Sequence, residues 1–383
     1  MIEVSPRLVF LVGTIAAIFG LMYWDRKNVE RSGILFFRRT KKGIEIIDRI
    51  AKKFPRFWNA YAWGGVIAAF ASILLISLTV GGSIFNVAVT GNPSSNFGLV
   101  APGTGSTVST QPGVTFVPAE YWFISIVVLM VVHELSHGIV ARLEDFDINS
   151  VGVLVLGVIP GAFVEPKGQN MLGGAEEVEG ESHGAWDQGD WISRIKVLSA
   201  GSWANYVFAA VFLGLWILSG SMLASPGEIH YTAQKGYPAA EAGMDSGRLI
   251  AFNGSEINNI SEFNSSASKI KVNETYSLKT TEGEFKVEAT SINGDEKGYL
   301  GVRFSIYSGL ERWFLSLLQI ISFLNLGIGL FNMLPAKPLD GGHILDAVVE
   351  RFAGEEYRKY VNYWSGFVIL TLITVLVYSI MAS

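Results

Sequence analysis

The segment YWFISIVVLMVVHELSHGIV, residues 121–140, is predominantly apolar but carries two histidines and a glutamate. About 20 apolar residues make a helix long enough to cross the hydrocarbon core of a bilayer. His133 and His137 are four residues apart, so on a helix they share one face and can bind one metal ion. Glu134 is placed to hold and deprotonate an attacking water molecule. Because such polar groups are costly inside an apolar span, the segment predicts a hydrolytic metal site within a membrane helix.

The whole chain has the composition of a membrane protein. Of its 383 residues, 50% are apolar and 16% are charged, whereas soluble domains carry about 25% charged residues. Stretches of about 20 residues with almost no charge predict membrane spans. Six spans are predicted, at residues 8–24, 57–80, 121–140, 197–218, 313–333 and 361–381. The expected fold class is an α-helical membrane protein with six transmembrane helices, a re-entrant β-like hairpin and one extramembrane α+β domain.

The charges of the loops predict the orientation of these spans. Residues 25–56 contain eleven Lys and Arg against four acids, whereas residues 81–120 contain no Lys or Arg. The positive-inside rule places the first loop in the cytoplasm and the second outside. Alternation then places both termini and residues 222–311 outside, and the histidine pair near the cytoplasmic side. If the source is prokaryotic, the plasma membrane is the expected location.

Composition also restricts the partners and the metal ligands. A net charge of −5 argues against a nucleic-acid partner, and the lack of cysteine excludes thiolate ligands and a cysteine nucleophile. Any metal site must therefore use histidines and carboxylates. Residues 44–54 alternate apolar and basic side chains at helical spacing, which predicts either a helix on the anionic cytoplasmic leaflet or an ordinary loop helix.

The glycine-rich stretch NSVGVLVLGVIPGAFVEP, residues 149–166, is apolar but too broken for a helix. Its β-branched run predicts an extended hairpin that dips into the membrane, where such backbone must be buried in protein or face a water-filled cavity. Gly152, Val153 and Phe163 lie in this predicted hairpin.

A catalytic zinc ion needs a third protein ligand and an open position for water. The fifth span ends in FNMLPAKPLDGGH, residues 331–343, in which two prolines break the helix and Gly341 and Gly342 let the backbone turn close to a partner. The predicted topology delivers Asp340 at about the depth of the histidine pair. Asp340 is the expected third ligand, and Glu165 is a weaker rival.

HELSH in one span and NMLPAKPLDGG in a later one resemble the paired motifs of the site-2 protease family of intramembrane zinc metalloproteases. The resemblance implies that His133, His137 and Asp340 bind zinc and that Glu134 is the catalytic acid/base. It also implies cleavage within a transmembrane segment of another membrane protein. Because a helical substrate hides its carbonyls and must unwind, Gly152, Val153 and Phe163 are predicted to lie in the stretch that pairs with the unwound segment. The central span reads GSWAN, residues 201–205, where the family has G-P-x-x-N. Asn205 is thereby implied to stabilise the oxyanion or hold the substrate, and Asn332 of the distal motif is a predicted substrate contact.

Residues 225–304 contain short β-rich runs, turn signals and one helical stretch, which predict a small α+β domain outside the membrane. YPAAEAGM, residues 237–244, and the following Gly, Ile and Asn-Gly resemble protease-associated PDZ domains. Tyr299, Leu300 and Gly301 are accordingly predicted to bind a peptide or protein ligand by β-augmentation. The alternative is a steric filter that admits only substrates with trimmed outer domains.

These predictions divide the chain into consecutive segments. They are a first transmembrane helix with a basic amphipathic segment (1–56), a second helix with an outer loop (57–120), the first part of the catalytic core (121–222), the PDZ-like domain (223–308), the second part of the core (309–345), and a cytoplasmic loop with the last helix (346–383).

Three other classes of protein are alternatives to a zinc protease of this type. A transporter would show interrupted helices in corresponding halves, which the sequence lacks. An inactive scaffold that presents the PDZ-like domain is the main alternative, although the complete ligand set argues against it. A membrane protease for prenylated tails would use a glutamate as third ligand, so variants of Asp340 and Glu165 separate it from the first reading.

Overall fold

The structure is a computed structural model that describes residues 6–91, 98–105, 107–111, 113–157, 159–168, 184–224, 228–234, 236–257, 259–291 and 297–381. Its helices are α1 (Pro6–Trp24), α2 (Ile44–Lys53), α3 (Pro55–Thr90), α4 (Ala119–Leu143), α5 (Trp191–Leu223), α6 (Pro238–Glu241), α7 (Ile260–Ala267), α8 (Gly309–Asn332), α9 (Asp340–Phe352) and α10 (Arg358–Met381). Its strands are β1 (Val29–Ser32), β2 (Leu35–Thr40), β3 (Leu99–Gly103), β4 (Ser109–Gln111), β5 (Val114–Pro118), β6 (Ile148–Leu156), β7 (Ile159–Pro166), β8 (Ile229–Ala233), β9 (Ser246–Phe252), β10 (Ser255–Glu256), β11 (Thr275–Thr280), β12 (Gly283–Glu288) and β13 (Val302–Ser305).

Within the described residues, six helices are long and apolar enough to cross a membrane: α1, α3, α4, α5, α8 and α10. They coincide with the six spans predicted from the sequence, and this number is confirmed. Several extend beyond the predicted bounds, since charge-free sequence marks only the part of a helix that must lie in lipid. Helix α3, with 36 residues, is about 54 Å long and exceeds the hydrocarbon thickness.

The chain divides into two compact units, residues 1–212 with 320–383, and residues 213–319. Helix α4 is the hub of the first unit, where it contacts α1, α2, α3 and strand β7. Its buried face includes Trp122, Leu129 and Val140, while Val127 and Val131 remain exposed on the opposite side. Because α4 is buried along one face, its histidines can lie in the interior of the first unit.

A four-stranded antiparallel sheet lies in the first unit, in the order β1-β2-β6-β7. The predicted hairpin of residues 149–166 corresponds to β6 and β7, and its Val158 lies outside the described residues. The predicted hairpin is part of a larger sheet, because β2 pairs with β6 and β1 pairs with β2. Strand β2 was not predicted, because its consecutive basic residues Arg38 and Arg39 are typical of a loop. They are accommodated because Arg38 pairs with Asp25 and Arg39 pairs with Glu30 and Glu165.

Helix α2 occupies residues that the sequence assigned to the leaflet surface or to a loop. Its buried residues Ile47 and Ala51 pack with Ile139 of α4 and Ile148 of β6. Arg142, at the end of α4, binds Asp48 of α2 with Nε–Oδ1 at 2.5 Å. The buried side chains of α2 therefore pack on protein, while Ile46 is 57% exposed, and contact of α2 with the leaflet stays a prediction.

The predicted outer loop before α4 also contains structure that the sequence did not reveal. Strands β3, β5 and β4 form a small sheet in which β3 runs parallel to β5. The Trp122 indole N–H donates to the carbonyl of Val100 at 3.1 Å, so this sheet is fixed to the first turn of α4.

The second unit contains a sheet in the order β12-β11-β9-β8-β13, with β10 paired to β9. Tyr231, Leu278 and Val287 are almost fully buried in its core. Helix α7 packs on this core through Phe263, whose ring centroid lies 4.1 Å from that of Phe304 on β13. The residues predicted to form an α+β domain thus have a sheet, two short helices and a hydrophobic core of their own.

Candidate metal centre

The two histidines of the HELSH segment face each other on α4. Because they are one helical turn apart, their Nε2 atoms converge to 3.0 Å. His133 is 7% exposed and His137 is half-buried. The rings are nearly perpendicular, with an interplanar angle of 84°. This arrangement directs both Nε2 atoms at one point beside the helix.

Asp340 reaches the same point from a distant part of the chain. It is the first residue of α9 and follows a turn after α8. Its Oδ2 atom lies 3.3 Å from His133 Nε2 and 3.5 Å from His137 Nε2. Ligand atoms about 2.0–2.2 Å from a tetrahedral zinc ion are separated by about 3.3–3.6 Å, so the three atoms form a triangle close to the size that zinc requires.

The surroundings of Asp340 also favour a cation at this point. Among the described residues, its Oδ2 atom is buried without a hydrogen-bond partner. A buried carboxylate oxygen in this state is costly unless a metal ion or another donor satisfies it. In the described part of the chain, His133, His137 and Asp340 are close enough together to hold one metal ion. The donor set therefore fits zinc.

Glycines permit the close approaches that assemble the centre. A Cβ atom on Gly341 would lie 2.2 Å from the carbonyl oxygen of Met333, and one on Gly342 would lie 2.2 Å from Lys337 N. The Asp340 turn can therefore fold back on itself only with glycine at these positions. On α5, a Cβ atom on Gly201 would lie 2.4 Å from His137 Nε2. Gly201 thus lets α5 pass directly against the two imidazoles.

Hydrogen bonds at the other ring nitrogens orient both imidazoles. His137 Nδ1 lies 2.7 Å from the carbonyl oxygen of Val197, which fixes the proton on Nδ1 and leaves Nε2 for metal. His133 Nδ1 lies 3.1 Å from the amide group of Asn205. When Nε2 binds metal, Nδ1 carries a proton, so the amide oxygen is the matching partner. That oxygen is buried without a partner among the described residues, and a half-turn of the amide brings it to Nδ1.

Glu134 lies between the metal centre and the sheet. Its Oε2 atom accepts a hydrogen bond from the backbone N–H of Val164 in β7 at 3.1 Å. Val164 packs in the cluster formed by α2, α4 and β6, so this strand is fixed against α4. The carboxylate next to the histidine pair is thereby held by the edge strand of the sheet, a contact that the sequence did not predict.

Glu165, the rival third ligand, is engaged elsewhere. It is 6% exposed, and its Oε2 atom accepts hydrogen bonds from Ser150 Oγ at 2.7 Å and from Arg39 Nε at 3.3 Å. Its charge is therefore balanced within the sheet, and the structure brings Asp340 rather than Glu165 to the histidines.

The other predicted substrate contacts occupy different places. Gly152 lies in β6 under the ring of Phe163, which is 1% exposed and packs edge-on against Phe37. Val153 is 56% exposed, and Asn332 ends α8 and is half-buried. Strand β6 is paired with β2 on one side and β7 on the other, so the backbones of Gly152 and Val153 are already engaged within the sheet. Of the two hairpin strands, only β7 has an unpaired edge in the described part of the chain.

Tyr299, Leu300 and Gly301 lie in the second unit, immediately before β13. Leu300 is buried, and its carbonyl accepts from the N–H of Ala239 at 3.0 Å. Gly301 has φ +76° and leaves no room for a Cβ atom, which would lie 2.2 Å from Tyr237 Cβ. The turn is therefore tightly packed against the start of α6.

A cluster of charges fixes α9, which carries Asp340. Asp346 is 5% exposed and binds Lys337 Nζ at 2.9 Å and Arg358 Nη2 at 2.8 Å. Burial alone would raise the pKa of Asp346, but the hydrogen bonds from Arg358 and Lys337 lower it below its ordinary value. Glu350, one turn further along α9, forms a two-bond pair with Arg194. Helix α9 is thus tied to both α10 and α5.

The turn before Asp340 is also bonded directly to α10. Trp364 Nε1 donates to the Pro335 carbonyl at 2.9 Å, and Ser365 Oγ accepts from Lys337 N at 2.9 Å.

Replacing Ser365 by alanine is expected to weaken zinc affinity about tenfold, because the Lys337 N–H loses its acceptor and the turn loosens. Chelator competition measures the affinity. Ser379→Ala is the matched control, since Ser379 is buried in the same helix, about 20 Å away. Equal affinities of the two variants would contradict a role of α10 in placing Asp340.

The apolar helices and the two-histidine, one-aspartate centre define an integral multi-pass membrane protein with a metalloprotease-type zinc site. In the comparison with known proteins, the model of Peptidase family M50 matches residues 121–375. The chain belongs to this family of zinc metalloproteases. The match begins with the span that carries HELSH and includes Asp340, so the ligands of the described centre all lie within it.

Two relatives extend the comparison. The chain is similar to an uncharacterized protein of Methanocaldococcus jannaschii, with 25% identity over 352 residues that cover 90% of this chain and 86% of the other. It is also similar to a protein of Bartonella henselae whose name assigns it provisionally as a zinc metalloprotease. That match has 52% identity over 44 residues, which cover 12% of each chain.

Proposed function

We propose that this zinc metalloprotease is of the site-2 type and hydrolyses peptide bonds within or near transmembrane segments of other membrane proteins. The observation that carries the proposal is that Asp340 of α9 meets His133 and His137 of α4, a helix apolar enough to span a bilayer. A hydrolytic centre on such a helix serves substrates that are themselves in the membrane. The complete ligand set also makes an inactive scaffold the weaker alternative.

The proposed chemistry assigns a task to each polar group near the metal. A zinc ion held by His133, His137 and Asp340 would supply Lewis-acid chemistry, activating water and polarising the scissile carbonyl. Glu134 is the general base that takes the proton of the attacking water and passes it to the leaving nitrogen. Asn205 is proposed to orient His133 through the hydrogen bond at Nδ1. The oxyanion role implied by the family resemblance would require its amide to turn towards the substrate.

The hairpin supplies a binding surface for the substrate in this proposal. A transmembrane helix has its carbonyls in intrahelical hydrogen bonds, so the cleaved segment must be extended. Strand β7 is the end strand of the described sheet and contacts α4 beside Glu134. An unwound segment that adds to β7 recovers backbone hydrogen bonds lost on unwinding. The partners are therefore membrane-protein substrates in a lipid bilayer.

The orientation of the protein in the membrane is also part of the proposal, and it rests on the charges of the loops. The basic segment 25–56 belongs in the cytoplasm by the positive-inside rule, which places the zinc centre near the cytoplasmic side and both termini outside. The second unit would then be extracytoplasmic. Its resemblance to PDZ domains supports either binding of a peptide or protein ligand, or a steric filter for substrates.

The function is tested with purified protein in liposomes and a tagged single-span test protein whose Leu/Ala transmembrane helix contains two central glycines. Wild type is expected to hold about one zinc per chain and to cleave within the helix. Glu134→Gln is expected to keep zinc but cut at most about one thousandth as fast, because the general base is lost. His133→Ala is expected to lose zinc and activity together. A folded wild type without metal, or a Glu134→Gln variant with full activity, would contradict the proposal.

A further inference from the structure

Along strand β7, successive residues direct their backbone N–H and C=O groups alternately towards β6 and away from it. One hydrogen bond shows which residues point away. Val164 sends its N–H to Glu134, away from the neighbouring strand β6. In an antiparallel pair, residues alternate between those that bond across the ladder and those that direct both N–H and C=O outward. Val164 pairs with Val151, and Ala162 pairs with Val153 two residues along. The outward-facing positions of β7 are therefore 160, 162, 164 and 166.

Proline occupies two of these four positions. Pro160 and Pro166 lack an N–H group, and proline is tolerated in a strand where the missing donor would face away from the ladder. Within Ile159–Pro166, the outward donors are thus Ala162 and Val164, and the N–H of Val164 is occupied by Glu134. The edge of β7 is therefore a short window with a proline at each end.

The opposite edge of the sheet does not offer an equivalent surface. Strand β1 is only four residues long, VERS, and its last three residues are exposed. Glu30 of β1 is paired with Arg39, and Arg31 lies over the ring of Phe36. Short, charged edge strands oppose the addition of another strand. Pairing is therefore directed to β7, next to the metal centre.

We propose that this window, in which Ala162 carries the outward donor that Glu134 does not occupy, sets the register of cleavage, a refinement that rests on the proposed function. An extended substrate segment pairs through one residue with the N–H and C=O of Ala162. The peptide bond about two residues away, roughly 6.8 Å along the strand, then lies opposite Val164 and Glu134. The anchoring substrate residue must possess an N–H, so the window selects against proline at that substrate position. Ala162 is thus a specificity-determining residue that acts through its backbone.

The register is tested with Ala162→Pro and Ala162→Val in the liposome assay, with the same glycine-containing test protein. Proline removes the outward donor without breaking the β6–β7 ladder, whereas valine keeps it. Ala162→Pro is expected to retain zinc. Its cleavage rate is expected to fall at least about tenfold, because the N–H of residue 162 is removed and the carbonyl beside it is reoriented. Ala162→Val keeps the outward N–H, so its cleavage rate is expected to exceed that of Ala162→Pro at least several-fold. Equal rates and equal sites for the two variants, both with zinc bound, would overturn the proposal.

Two further measurements do not depend on the folding of the proline variant. Pro160→Val adds a donor at the next outward position of the same ladder, so the cut bond is expected to stay the same and the cleavage rate to rise several-fold. A proline scan of the test protein against the wild-type enzyme is expected to find a blocking position two residues from the cut bond. A displaced cut or an unchanged rate with Pro160→Val, or uniform cleavage across the scan, would overturn the register. A failure of the proposed function itself differs, because then wild type does not cut the parent test protein.

Discussion

Gly201→Ala is expected to abolish zinc binding, although it adds one methyl group to a helix. The new Cβ atom would lie 2.4 Å from His137 Nε2 and 2.7 Å from both Cε1 and Nε2 of His133. These include the ligating nitrogens themselves, so the helix and the imidazoles cannot all keep their places. The rings have little freedom to move, because Val197 and Asn205 hold their Nδ1 atoms. We expect zinc affinity to fall at least about 100-fold.

Zinc content by elemental analysis and affinity by chelator competition measure this effect. Gly214→Ala on the same helix is the matched control, because its added Cβ atom would meet no side chain or other element within 4 Å in the described part of the chain. Alanine is the better helix former, so the control is expected to keep zinc with equal or greater stability. A Gly201→Ala protein with wild-type zinc affinity would show that α5 does not limit the space around the ligands.

The role of Gly201 illustrates what a sequence leaves undetermined. The residue was visible as the start of GSWAN, but only the distance between α5 and α4 shows why a side chain is excluded there. The histidine pair, in contrast, depends on spacing within one helix, which a sequence contains in full. Asp340 could be inferred because helix length and membrane depth restrict where α8 ends.

The membrane spans could be predicted from the sequence, whereas strands β1 and β2 of the four-stranded sheet could not. Each span must be apolar along its whole length, so the six helices could be predicted from local composition. Strand β2 is stabilised by partners that are far away in sequence, among them Gly152 of β6 opposite Arg39 and Glu165 at the Arg39 side chain. Its two consecutive arginines indicate a basic loop when those partners are unknown. Cross-strand pairs, rather than local preference, determine such a strand.

Asp340→Ala and Glu165→Ala are expected to have opposite effects, which distinguishes this centre from one with a glutamate ligand. Asp340→Ala removes the third ligand, and the remaining two nitrogens cannot enclose a zinc ion. We expect zinc affinity to fall at least about 100-fold and hydrolysis to be lost with it. Glu165→Ala leaves the ligand triangle unchanged, so zinc content is expected to remain at the wild-type value.

Glu165→Ala should instead affect the stability of the sheet. Without the carboxylate, Ser150 Oγ and Arg39 Nε lose their acceptor, which costs about 1–3 kcal/mol when the group left behind is buried. Because the Arg39 side chain is 29% exposed, water compensates part of its loss, and we expect the lower half of that range. Thermal unfolding in detergent measures the change, and zinc analysis is made on the same samples. Loss of zinc from Glu165→Ala with retention in Asp340→Ala would reverse the ligand assignment, since a metal ion held by Glu165 would have to draw that carboxylate away from Arg39.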